Sequence, residues 1–323
     1  MADPQRRIEP ISLLVLVLVL ALLPLLGKFA IHLGSLAGIM VILALGLHVF
    51  FGIAGQINFG ISGSYACGAY AAALLINKGG LHFFAALPLA LIIVGVITVI
   101  LGAAVLRLRH WVLALGTASF GLAVWLTART VAVGFLGGDD GLDLPSLRVG
   151  GWKAGPLFYY YFITAWAIVG LLASHFLGHS RAGRALKAIR EDEVAASAMG
   201  VHVSHYVRVA FLLCGLYAGM AGILYAQWNG WISPASFTLD VSMYAVVFVI
   251  VGGLGFGSGA VVGAALLTLL PQLLVPLREY HVLVYAVILF LVIRFAPKGI
   301  VGSLRDVWFR LRPGLAPAPA SRG

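Results

Sequence analysis

The chain has 323 residues, of which 62% are hydrophobic and only 10% are charged. Soluble domains carry about 25% charged residues, so a soluble fold of this length would have too few polar residues to cover its surface. The net charge of +10 would suggest nucleic acid in a soluble protein, but here the basic residues lie between long apolar runs or at the termini. The composition indicates an integral membrane protein and no nucleic-acid partner.

Ten apolar runs approach the length needed to cross ~30 Å of hydrocarbon. They predict an all-α fold: a polytopic membrane bundle of about ten transmembrane helices, some broken by glycines, over residues 11–296. The first run follows two arginines, as in a signal peptide. No small-residue cleavage site follows it cleanly and the next run begins almost at once, so we expect it to be retained. The predicted spans are 11–27, 31–51, 59–76, 83–106, 111–136, 158–177, 206–228, 241–251, 259–276 and 281–296.

The basic residues predict the orientation of these spans. With an inside N-terminus, ten spans place fifteen Lys and Arg residues on the inner side and five on the outer side, and leave Arg129 within a span. We therefore expect both termini in the cytoplasm, as segments 1–10 and 297–323. The end of the second segment is rich in proline and alanine and is predicted to be disordered.

The polar residues give no sign of catalysis. All eleven acidic residues fall in termini, in loops or at span edges, whereas proton-coupled transporters generally need carboxylates within the membrane. The chain has no G-x-x-x-x-G-K-[ST] phosphate loop and no nucleophile–base pair. We predict no catalytic residue, no metal site and no cofactor bound by this chain. A secondary transporter with a sodium site of backbone carbonyls, or an intramembrane enzyme, stays open as an alternative class.

Two glycine-rich segments, 52–70 and 252–263, interrupt the predicted spans. Paired interruptions of this kind indicate a substrate path, because irregular backbone is tolerated in a membrane only against protein or a water-filled cavity. The alternative is close helix packing by small residues, which GxxxG pairs such as Gly215–Gly219 favour. Uncharged polar residues suit a small zwitterion or a neutral solute. The predicted path residues are Gly55, Gln56, Asn58, Gly60 and Ser62.

Two longer connections join the spans: an outer loop, 137–157, and an inner loop, 178–205. The inner loop reads as two short amphipathic helices, with Ser180 as the first N-cap, Asp192 as the second and Gly200 as the stop. Such helices suit docking to a partner or, alternatively, the surface of an anionic membrane.

Four motifs in order resemble the branched-chain amino acid permease family of ABC importers. They are GQINFGISGSYACGAYAAALL, LGGDDGLDLP, GRALKAIREDEVAASAMGV and GGLGFGSGAVVGAALL. The third resembles the E-A-A-x-x-x-G loop of importer permeases through Ala195, Ala196 and Gly200, with Val194 in place of the Glu. The GG-x-D-G-L element of the second is similar to the LivM type, more than to its LivH partner.

The resemblance implies a transport subunit that is not itself an enzyme. It implies a bacterial inner-membrane importer with a second permease of LivH type and two cytosolic subunits that hydrolyse ATP with Mg. A soluble binding protein would deliver leucine, isoleucine or valine; similar permeases carry urea, short amides or other amino acids. The inner loop would couple to the ATPases through Arg184, Leu186, Ile189, Arg190, Glu193, Ala195, Ala196 and Gly200. We expect Leu186 and Ile189 to supply the apolar contact to that partner.

Overall fold

The structure is a computed structural model that describes most of the chain. The described residues are 27–108, 110–131, 133–149, 152–273, 283, 286–287, 290–292, 294, 296 and 299–303. The predicted N-terminal segment, nearly all of the first span and the end of the tail lie outside them. The last predicted span, 281–296, is described only in part.

Helices account for nearly all of the regular structure in this part of the chain. Four further helical segments are irregular: two π-helical segments, His48–Ile53 and Thr127–Val131, each continuing the helix before it, and two 3-10 turns, Gly138–Asp140 and Pro234–Phe237. The helices are α1 Lys28–Leu47, α2 Ile61–Asn77, α3 Phe83–Val105, α4 His110–Leu126, α5 Val133–Leu136, α6 Pro156–His179, α7 Arg181–Glu191, α8 Glu193–Ala198, α9 Val203–Asn229, α10 Leu239–Gly252 and α11 Gly257–Leu273.

Six helical segments within the described residues are long and apolar enough to cross a membrane. Two more predicted spans form shorter helices, α2 and α11, of 17 residues each. The prediction of a polytopic helical membrane protein is confirmed. The count of about ten spans remains a prediction, because the first and last of them fall wholly or partly outside the described residues.

The helices that form the bundle run in alternating directions between two ends. One end, where the short strands described below form, is here called the sheet end. There Asn77 Nδ2 donates to the Asp143 carbonyl over 2.6 Å, and Trp231 Nε1 donates to the Asp140 carbonyl over 3.2 Å. At the other, the basic end, α7 and α8 lie beside the turns at residues 54–57 and 106–108. The predicted outer and inner loops therefore lie at opposite ends of the bundle.

The sheet end departs from the all-α prediction. Two antiparallel pairs of two-residue strands form there: β1 Leu142–Asp143 with β4 Trp231–Ile232, and β2 Arg148–Val149 with β3 Trp152–Lys153. Runs this short lack the alternation that marks a strand in sequence. The β1–β4 pair ties the 137–157 loop to the segment that follows α9, whereas the β2–β3 pair lies within the loop.

Arg129, predicted to lie within a span, is at the sheet end as well. Its Nε is 3.1 Å from Asp139 Oδ2, and both side chains are substantially exposed. The charge is therefore balanced at the edge of the bundle instead of being buried in it.

Small residues set the closest helix contacts. A Cβ on Gly222 of α9 would lie 1.9 Å from the Tyr65 carbonyl oxygen of α2, and one on Gly68 would lie 2.2 Å from the Gly219 carbonyl oxygen. A Cβ on Gly263 of α11 would lie 2.0 Å from the Phe248 carbonyl oxygen of α10. Since lipid supplies little hydrophobic drive between helices, this backbone approach stabilises the bundle through van der Waals contact. Gly219, Gly222 and Gly263 thus lie where helix backbones meet.

The alternation of the helices predicts where reporter domains will lie. A reporter fused after Trp152, at the sheet end, is expected outside the cell membrane, and one fused after Arg190, at the basic end, in the cytoplasm. An activity assay with a periplasm-active and a cytoplasm-active reporter at each site measures this. Two fusions on the same side would contradict the arrangement.

Candidate functional site: the broken helix and the loop helices

The chain between α1 and α2 leaves the helical path over residues 54–60, a segment here called the break. The π-helical turn ends at Ile53, and Gly55 has φ +75°, a left-handed conformation that favours glycine. The Gln56 amide still donates to the Phe50 carbonyl over 3.1 Å, and helix resumes at Ile61. The predicted glycine-broken span is therefore observed, and its irregular part is short.

The break satisfies its polar groups inside the protein. Asn58 Oδ1 accepts from the Gly60 amide over 2.8 Å, and the Phe59 amide donates to Thr117 Oγ1 over 3.1 Å. Asn58 is only 3% exposed, and its Nδ2 lies 3.6 Å from Cys214 Sγ. An unpaired amide here would cost about 1–3 kcal/mol, so these side chains are what makes non-helical backbone tolerable inside the bundle.

Two short helices, α2 and α10, meet beside the break. At ~1.5 Å per residue, α2 with 17 residues spans about 25 Å, less than the ~30 Å of hydrocarbon, whereas α10 reaches a spanning length only together with the 3-10 turn before it. Their N-terminal turns touch where the Ser62 amide donates to Ser242 Oγ over 3.0 Å. Ser62 Oγ is fully buried with no hydrogen-bond partner among the described residues. Two helix N-termini thus converge within the bundle, and their dipoles favour negative charge there.

The five predicted path residues occupy different environments. Asn58, Gly60 and Ser62 are buried in the bundle, whereas Gly55 is exposed at the basic end. Gln56 is half-buried and borders two clefts at that end. The structure therefore separates an interior group from the surface pair formed by Gly55 and Gln56.

The inner loop folds as the predicted pair of capped helices. Ser180 Oγ accepts from the Gly183 amide over 3.0 Å at the start of α7, and Asp192 Oδ1 accepts from the Val194 and Ala195 amides over 2.8 and 2.9 Å at the start of α8. The chain leaves α8 through Gly200, whose φ is +83°. Both caps and the glycine stop are confirmed.

The apolar face of α7 is already covered by this chain, so the expectation that Leu186 and Ile189 contact a partner subunit is wrong. These side chains are 1% and 3% exposed, because α7 lies across the basic end and packs against α6, α9 and the π-helical segment. The exposed apolar side chains of the loop are instead Val194 at 80% and Met199 at 85%. Sequence periodicity identifies the apolar face of a helix, but not the surface that covers it.

The other predicted coupling residues lie around these two helices. Arg184 is exposed, and its Nη1 donates to the His179 carbonyl at the C-terminus of α6 over 3.1 Å. Ala195 is exposed beside Val194, and Ala196 is 6% exposed beneath them. Glu193 is exposed at the first turn of α8. The second helix, more than the first, therefore presents its surface outward.

The two sets of predicted residues meet at the basic end. Arg190 of α7 contacts the backbone at Gly52 and the position of Gly55. Gln56 and Glu193 border the same cleft of about 1060 Å³, which reaches Trp111 and Ser204, and a neighbouring one of about 400 Å³. A loop and a broken span that are more than 100 residues apart in sequence thus form one site.

Several residues of this site carried no sequence signal. Thr117, Cys214 and Ser242 hold or adjoin the break, yet each is an isolated small residue within an apolar run. Trp111, 76% exposed at the cleft, reads in sequence as an interfacial aromatic. Only the packing of α4, α9 and α10 around the break identifies them.

Comparison with known proteins finds similar proteins over most of the chain's length. A family model described as branched-chain amino acid transport system / permease component matches residues 30–293. The chain is 31% identical to the high-affinity branched-chain amino acid transport permease LivM of Salmonella typhimurium and to that of Escherichia coli K12, over 90% of this chain and 74% of each relative.

A more distant relative, the LivH permease of Escherichia coli K12, is 27% identical over 83% of this chain and 92% of its own length. No solved structure gave a significant match. The family match and the LivM identity together cover the break, the inner loop and the packed helices. This chain belongs to the family of branched-chain amino acid transport permease components.

Proposed function

We propose that this chain is one of two permease subunits of an ATP-driven importer for leucine, isoleucine and valine. The observation that carries the proposal is the 31% identity to LivM permeases over 90% of the chain. The second permease would be of LivH type, and a soluble binding protein would deliver the substrate at the sheet end. ATP and Mg would be used by two cytosolic partner subunits, and this chain would bind no cofactor.

The break supports a substrate path in this chain. Asn58, Gly60 and Ser62 lie beside the converging N-termini of α2 and α10, where the helix dipoles and the Ser62 hydroxyl, which has no hydrogen-bond partner among the described residues, favour a carboxylate. Gln56 borders the clefts at the basic end, where the same path would open. No formal charge is needed for a zwitterion to pass between such groups.

The loop helices support coupling to a partner at the basic end. The pair is fixed to the bundle by α7 and presents α8 outward, with the Val194 and Met199 side chains largely exposed. Covering two such side chains contributes roughly 3–6 kcal/mol before ordering costs. We place the basic end, and with it both termini, on the cytoplasmic side of the bacterial inner membrane, where the ATPases would bind.

Reconstitution tests the proposed function directly. In proteoliposomes that contain this chain, a LivH-type permease and both ATPase subunits, binding protein loaded with labelled leucine should drive uptake that requires ATP. ATPase subunits with an inactivated hydrolysis site are the matched control. Uptake driven by an ion gradient without ATP would identify a secondary transporter, and competition by urea or short amides, but not by isoleucine or valine, would overturn the substrate assignment.

Replacement of Asn58 tests the path. Asn58→Leu should lower leucine uptake about tenfold, because the Gly60 amide loses its acceptor at a cost of ~1–3 kcal/mol to the transport-competent break. Asn58→Ser keeps a short acceptor for the same turn and should stay closer to the natural protein. Uptake and the amount of assembled complex are measured together. Unchanged uptake in Asn58→Leu would show that the residue has no part in transport.

Replacement of Val194 and Met199 tests the docking surface. Val194→Asp with Met199→Asp should abolish copurification with the ATPase subunits while the chain stays in the membrane, because both side chains are exposed and touch little of the bundle. Val194→Thr keeps the shape of the side chain and should retain binding. Normal copurification of the doubly charged variant would place the loop at the lipid surface instead.

A further inference from the structure

Arg190 joins the inner loop to the end of a membrane helix. The guanidinium Nη1 donates to the Gly52 carbonyl oxygen, in the π-helical turn that ends α1. The last carbonyls of a helix lack intrahelical donors, and a cation at that end also interacts favourably with the helix dipole. The contact is internal to the chain, although Arg190 was predicted to serve the interface with a partner.

Gly55 makes the same contact from the other side. A Cβ on this residue would lie 2.6 Å from Arg190 Cγ, 3.0 Å from its Cβ and 3.2 Å from its Cα. The α7 backbone therefore rests directly on the first turn of the break. Glycine is required here twice, by its φ of +75° and by the closeness of α7.

The far end of α7 is fixed just as closely. A Cβ on Gly183 would lie 2.0 Å from the Leu177 carbonyl oxygen at the end of α6. Between the two ends, Leu186 and Ile189 are buried against the bundle. The helix is therefore held along its whole length and cannot shift without moving what it touches.

The break and the start of α2 are in contact with three other helices. Beyond Gly55, their hydrogen bonds and contacts reach Thr117 of α4, Cys214 of α9 and, through Ser62, Ser242 of α10. A displacement of α7 at Arg190 would therefore move the break, which adjoins the N-termini of α2 and α10.

We propose that Arg190 is a positioning residue that transmits movement of the inner loop to the break, so that the partner acts on the path through the Arg190–Gly52 and Arg190–Gly55 contacts. The inference rests on the proposed function. It assigns Arg190 to coupling inside this chain, and leaves partner binding to the exposed surface of α8.

The test compares ATP hydrolysis with uptake in the reconstituted complex. Arg190→Ala should retain assembly and basal ATP hydrolysis but lower leucine uptake per ATP about tenfold, since it removes a charge-assisted hydrogen bond. Arg190→Lys keeps a cationic donor and should recover part of the coupling. Gly55→Ala keeps the charge but forces α7 away from the break, and should uncouple in the same manner.

Lys187→Ala is the matched control, because Lys187 is an exposed cation on the same helix whose side chain has no hydrogen bond or ion pair described. It should couple normally. A second measurement follows cross-linking between cysteines placed at Gln56 and Glu193, which border one cleft. Its rate should respond to ATP in the natural background and lose that response in Arg190→Ala.

The outcomes separate the two claims. Normal coupling in Arg190→Ala, or in Gly55→Ala, would overturn the role of Arg190. If Arg190→Ala fails to assemble, the ratio of leucine uptake to ATP hydrolysis in Arg190→Lys and Gly55→Ala decides the question. Lack of ATP-driven leucine uptake by the unaltered complex would contradict the proposed function instead.

Discussion

The requirement that a chain in a membrane pair its own backbone polar groups governs this structure. Helices meet the requirement by themselves, but the break at 54–60 does not. It is possible only because Asn58 accepts from Gly60, Thr117 accepts from Phe59 and Arg190 donates to Gly52. The bonds of Thr117 and Arg190 also link this irregular backbone to α4 and to the loop, whereas the Asn58–Gly60 bond lies within the break.

The helices around the break must approach closely enough for those bonds to form. Glycines at the α2–α9 and α10–α11 contacts allow backbone to meet backbone, as at Gly222 and Gly263. Packing by small residues and a substrate path are therefore not competing interpretations of the glycine-rich segments. Close packing fixes the positions of the helices that would line the path.

The two helices of the inner loop differ in whether this chain covers their apolar side chains. The apolar residues of α7 are buried against the bundle and hold the helix across the basic end, whereas the Val194 and Met199 side chains at α8 are exposed. A docking element fixed in this manner can carry force, whereas one held only by its partner would merely bind. In the proposed coupling, the contact of Arg190 with the end of α1 is the point at which movement of the loop would reach the bundle.

The sequence by itself determined the class of the protein, most span positions, both helix caps of the inner loop and the glycine stop at Gly200. Hydropathy over ~20 residues and the hydrogen bonds of helix caps are local properties, so they can be recognised without knowing which helices become neighbours. Only the tertiary structure decided that Leu186 and Ile189 face inward, that Cys214 and Ser242 adjoin the break, and that Gly55 meets Arg190. Those facts depend on which helices become neighbours, and nearly uniform apolar runs do not encode their partners in any local pattern.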